Sequence, residues 1–261
     1  MTVSGTASIA TGSTLLMYGG SFNTQGDLTV SGTIRGAGTI GGPIGGTGIL
    51  SAEHGTLDLT GTVASGLTFQ IASYGTLKID GTATTANLAG MIDVNQVLEI
   101  GLSGDLTITG SSGYNTAGTV KLDGGTLTDA PTYGTGGQGV FTGFGTMNGS
   151  VMGGQYGNAP AIHATGGTLT LNGEMYDGDR PDIAAGATFN LLGAVQLRPP
   201  PPGQVSNPVR FNFPLQRQRD AAPRHCDRAA ILRDERRHRQ YERQHDRRPD
   251  ECSRPCRCPA R

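Results

Sequence analysis

GGTLTLNG, residues 166–173, compresses into eight positions the pattern that decides the fold. Leu169 and Leu171 alternate with Thr168, Thr170 and Asn172, and glycines close both ends. Apolar–polar alternation with a period of two marks a strand with one buried face. The flanking Gly and Asn supply turns, because they tolerate positive φ at little cost.

The same phrase recurs as GDLTV at Gly26, GTLDL at Gly55, GTLKI at Gly75 and GDLTI at Gly104. It returns as GGTLT at Gly124, GTMNG at Gly145 and GATFNL at Gly186. Aligned on the first apolar residue, it gives Leu57, Leu77, Leu106, Leu127, Met147, Leu169 and Phe189, with steps of 20, 29, 21, 20, 22 and 20. The steps of 29, here and from Leu28 to Leu57, are expected to be coils with an inserted loop. No stretch of residues 1–197 carries a 3.6-residue apolar period, so helices are not expected. A strand–turn unit this short cannot bury its apolar face alone, whereas stacked copies can. The expected fold is all-β: a right-handed parallel β-helix of about 20-residue coils over residues 1–197, with a non-globular tail. About nine such coils fit, spanning roughly 40 Å at the usual strand spacing. A β-sandwich would not explain so regular a repeat.

GGTLTLNG, GTLDLTGTV and FTGFGTMNGSV resemble the repeats of bacterial autotransporter passengers and haemagglutinin-like adhesins. The likeness covers roughly residues 20–195 and rests on motifs of low complexity. It implies a structural and adhesive segment, secreted or displayed on the cell surface, whose partners are host-surface or matrix glycans and proteins and the neighbouring repeats of a longer parent chain. The N-terminus lacks a charged region followed by an apolar one, so it does not read as a secretory signal. Met1 reads as an internal start or a fragment boundary.

The 261 residues divide sharply in composition. Residues 1–197 hold 42 of the 43 Gly and only four basic residues (Arg35, Lys78, Lys121 and Arg180) against 13 acids, a formal charge of −9. Residues 198–261 hold 16 Arg, no Lys and eight acids, a formal charge of +8. An acidic, Lys-poor body is not expected to bind nucleic acid, which demands clustered cations. No apolar run is long enough to insert in a membrane.

The tail opens on four prolines and runs to RDERRHRQYERQHDRR, residues 233–248. It reads as disordered, being highly charged and poor in apolar residues. It also reads as translation out of frame. Back-translating Arg237–Arg247 with Arg as CGN and dropping one nucleotide permits Gly, Thr and Asn, the vocabulary of the body. CSRPCRC, residues 252–258, supplies one cysteine cluster where a structural zinc site needs two separated pairs.

No catalytic or cofactor-binding residue is expected. His54 and His163 adjoin repeat phrases and read as surface turn positions. NGEMYDGDRPD, residues 172–182, brings Asp177, Asp179 and Asp182 together as weak calcium candidates. Pro181 stands at an alternate ligand position and no distal Glu follows, so the stretch reads first as an acidic loop. Asp58 and Lys78 hold matching positions of consecutive coils and are expected to stack. The rival is a carbohydrate-active β-helix enzyme, a polysaccharide lyase or hydrolase. Three or more carboxylates or basic groups on one exposed face would mark it.

Overall fold

The computed structural model describes residues 1–86, 88–89, 92–110, 115–129, 135–137, 139–153, 161–176 and 180–196. All belong to the first of two units, Met1–Leu215; the second is Gln216–Arg261. Asp177, Asp179 and the whole Pro/Arg-rich tail, 198–261, lie outside the described residues.

Every described element is a β-strand and every strand pairing is parallel. The chain is a β-solenoid with about 20 residues per turn, as the repeat phrase implies. Each coil contributes up to three strand segments. The first face stacks Thr76–Ile79, Val97–Ile100, the leading halves of Thr119–Asp129, Val140–Asn148 and Ala161–Asn172, and then Arg180–Ile183. The second stacks Ala7–Ile9, Leu28–Val30 and Ile44–Gly46 early in the chain, and Thr82–Thr85 and Asp105–Ile108 later. The third stacks the leading halves of Thr14–Thr24, Thr33–Gly41 and Ile49–Leu59, and then Thr68–Ala72.

The core is a set of inward-facing columns. On the first face, Leu57, Leu77, Leu98, Val120, Phe141 and Ile162 pair in direct succession, and all are buried. Their steps are 20, 21, 22, 21 and 21 residues. Full burial of each aliphatic side chain contributes about 1.5–3 kcal/mol, and within the column successive apolar residues lie directly one over the next.

The two steps of 29 are not coils with inserted loops. Leu77 pairs with Leu98, 21 residues on, and Leu106 lies eight residues further along the same coil, on the second face. Leu28 likewise pairs with Ile44, 16 residues on, whereas Leu57 lies on the first face. Met147 pairs with Leu171, not with Leu169, which faces Gly145. The physical reason is that two faces of one coil bury their apolar residues with the same phrase. Alignment on the phrase therefore crosses from one face to another.

The bends between faces depend on left-handed backbone. At Gly143 φ is +108°, and a Cβ there would collide with the backbone oxygen of Leu122 in the coil below. Only glycine meets both conditions. Among the described residues, four that are not glycine also take positive φ: His54 at 54°, Ser73 at 43°, Tyr74 at 61° and Asn95 at 69°. All four fall where the third face bends into the first.

Candidate functional site

The outward-facing side of the first face carries the densest chemistry. Register sets one polar residue from each coil directly over the next: Thr39, Asp58, Lys78, Glu99, Lys121, Thr142, His163 and Asp182. The expected stacking of Asp58 on Lys78 is present. Charge alternates along the four central members, one coil spacing apart, about 4.8 Å. Asp80 and Asp123 flank the column two residues along their own strands.

Lys78 is held by one carboxylate, and Lys121 lies between two. Lys78 Nζ donates to Asp80 Oδ2, and Lys121 Nζ lies 3.4 Å from Glu99 Oε2 and 3.8 Å from Asp123 Oδ2. The ion pair of Lys78 therefore runs along its own chain to Asp80 and not across coils to Asp58. Burial pushes the Asp58 carboxyl above its ordinary value; nearby Asp80 adds to the shift, Lys78 opposes it and Glu99 adds again. Asp58 Oδ1 has no hydrogen-bond partner among the described residues. The Lys78 ammonium moves upward too, chiefly through its hydrogen bond to Asp80, which outweighs desolvation. These groups are partly exposed, so each contact contributes only a few tenths of a kcal/mol.

His163 and Asp182 extend the column. His163 Nδ1 lies 3.2 Å from Asp182 Oδ2. Neither residue is in a loop: His163 lies within the strand Ala161–Asn172, and Asp182 within Arg180–Ile183. Asp182 thus turns its carboxylate to a histidine of the coil below. The sequence pattern placed both in turns because the Gly and Pro around them mark turns; in fact Pro181 faces inward, paired with Ile162. His54 likewise lies within a strand, Ile49–Leu59, and is exposed where that strand kinks through a positive φ. Among the described residues, no three His, Cys, Asp or Glu side chains are grouped so as to hold a metal ion.

Glu99, Lys121, Asp80 and Asp123 were missed as members of this array. Val97–Ile100 has the alternation of the repeat phrase but follows Gln96, with no glycine to announce it.

Fold and side-chain array together define a parallel β-solenoid repeat protein with a charge ladder on one face. No protein-family model matches the chain, and no curated protein or solved structure is similar to it.

Proposed function

We propose that residues 1–197 are a structural and adhesive segment of a secreted or surface-displayed bacterial repeat protein, with no catalytic role. The observation that carries this reading is the self-pairing of the ladder. Lys78 and Lys121 are held by neighbouring carboxylates, and His163 by Asp182. The pairs Lys121–Glu99 and His163–Asp182 run between successive coils and hold their register, while Lys78 is tied to Asp80 within its own coil. A cavity among the described residues is lined mainly by apolar side chains, Leu122, Phe141, Met147, Ile162, Leu171 and Phe189 among them, with Thr142 as its polar member. The resemblance of the repeats to autotransporter and adhesin repeats supports the adhesive part.

Retention of beads coated with the full chain on glycoprotein- and matrix-coated surfaces tests the proposal. Adhesion above that of bare beads supports it; retention equal to bare beads on every surface sinks it.

One observation favours a second reading, a carbohydrate-active enzyme. Asp58, Asp80, Glu99 and Asp123 put four carboxylates on a single exposed face, the grouping such chemistry requires. Release of reducing ends or unsaturated sugars from polysaccharides, abolished by Glu99→Gln, would establish it. No product from any polysaccharide would remove it.

A further inference from the structure

Away from the ladder, the third face and the bend that follows it carry five of the nine large apolar side chains exposed among the described residues. Leu16, Tyr18, Ile49, Tyr74 and Val94 all lie there, with Tyr18 87% and Tyr74 72% exposed. Backbone contacts fix their relative places. Tyr18 pairs with Ala37, Gly55 lies so close to Ala37 that a Cβ on it would meet the Ala37 methyl, and the His54 amide donates to the Ser73 carbonyl one residue before Tyr74. The two tyrosines therefore stand on one edge, three coil spacings or about 14 Å apart. The two coils between them present Arg35 and Glu53, and the coil of Tyr74 itself presents Gln70. Arg35 and Glu53 form an ion pair of 3.3 Å, and Ser51 donates to Glu53, so the strip is polar but carries no net charge.

A second feature singles out this edge. The four non-glycine residues with left-handed backbone are all in its bend. That conformation is uncommon for an aromatic side chain such as Tyr74, and strain of this kind gathers where ligands are held. Tyr74 combines this backbone with a largely exposed side chain.

We propose that this strip binds a neutral glycan chain lying along the solenoid axis. Tyr18 and Tyr74 stack on the apolar faces of pyranose rings, and the Arg35–Glu53 pair and Gln70 take up their hydroxyl groups. Exposed rings alternating with donors and acceptors match a ligand whose faces are apolar and whose rim is hydroxylated. The neutral charge favours an uncharged chain over an acidic one, since Arg35, the strip's cation among the described residues, is already paired with Glu53. The proposal rests on the adhesive reading and names its ligand.

The test uses the full chain and a panel of soluble neutral hexose oligosaccharides with α- and β-linked glucose, galactose or mannose. The chain has no Trp and seven Tyr, two of them in the strip, so the fluorescence change on binding is read against the Tyr18 and Tyr74 variants. Binding of at least one sugar is expected. Tyr18→Ala and Tyr74→Ala should each weaken it roughly three- to tenfold, the worth of one aromatic contact, with unchanged thermal unfolding. Tyr74→Phe keeps the ring and should bind as the parent does. If coated beads adhere yet no neutral sugar binds, the strip is overturned and the adhesive reading stands. Sugar binding that ignores both alanine variants overturns the strip as well. Failure of adhesion and sugar binding together removes both.

Discussion

Replacement of Leu98 by alanine probes the core column at its middle. Leu98 is fully buried between Leu77 below and Val120 above. Three carbons are lost, which at about 0.8 kcal/mol each costs about 2.4 kcal/mol of transfer free energy. Hydrogen-bonded strands hold the coil spacing, so the void cannot close, and the cavity brings the loss to about 3–4 kcal/mol. Two companion variants calibrate this value. Leu191 is only partly buried against the core, and Leu191→Ala should cost less than half as much. Leu102 is 76% exposed, and Leu102→Ala should fall within about 0.5 kcal/mol of the parent. Urea unfolding followed by circular dichroism gives all three values. Equal losses for Leu98→Ala and Leu102→Ala would refute the assignment of inward and outward positions.

Other predictions concern the ladder and the tail. Because the folded carboxyl of Asp58 titrates above its ordinary value of 3.8, the folded state binds that proton more tightly than the unfolded chain does. Stability attributable to it therefore falls as pH rises through the interval between the two values, and ionised Asp58 is a cost at neutral pH. Asp58→Asn should raise the melting temperature at pH 7, and the gain should vanish below about pH 3.8, as calorimetry across pH would show. Glu99→Lys would set three lysines in succession and should cost about 1 kcal/mol at low salt, shrinking in concentrated salt. An insensitivity to salt would count against the register of Lys78, Glu99 and Lys121. Sequencing the coding DNA from codon 185 onward should show that correcting one nucleotide near codon 197 restores the repeat phrase; an intact frame through Arg261 would establish the tail as genuine.

The repeat phrase announced strands, their parallel stacking and a period close to 20 residues, because alternation and glycine spacing are local properties. It did not announce which face a strand joins. Leu57-Asp58-Leu59 and Leu106-Thr107-Ile108 read alike, yet the first lies on the first face and the second on the second. That assignment depends on pairing between residues about 20 apart, which no local pattern records. The ladder was legible only at Asp58 and Lys78, where two consecutive coils carry the full phrase. Its continuation through Glu99 was hidden because Asn95, with φ at 69°, makes in that coil a bend for which glycine is the usual residue. The contact of His163 with Asp182 was hidden by the turn-like composition around both.

The central claim is the parallel register in which Leu77 lies under Leu98, and a pair of cysteines tests it most directly. With the four tail cysteines replaced by serine, Lys78→Cys with Glu99→Cys places two thiols on residues that are direct partners in adjacent strands. Their Cα separation of about 4.8 Å falls within disulfide range, so oxidation should link them in high yield, as peptide mapping would show. The control, Lys78→Cys with Thr107→Cys, puts the second thiol on another face and should stay reduced. A disulfide in the control, with none between positions 78 and 99, would contradict the register and the stacking built on it.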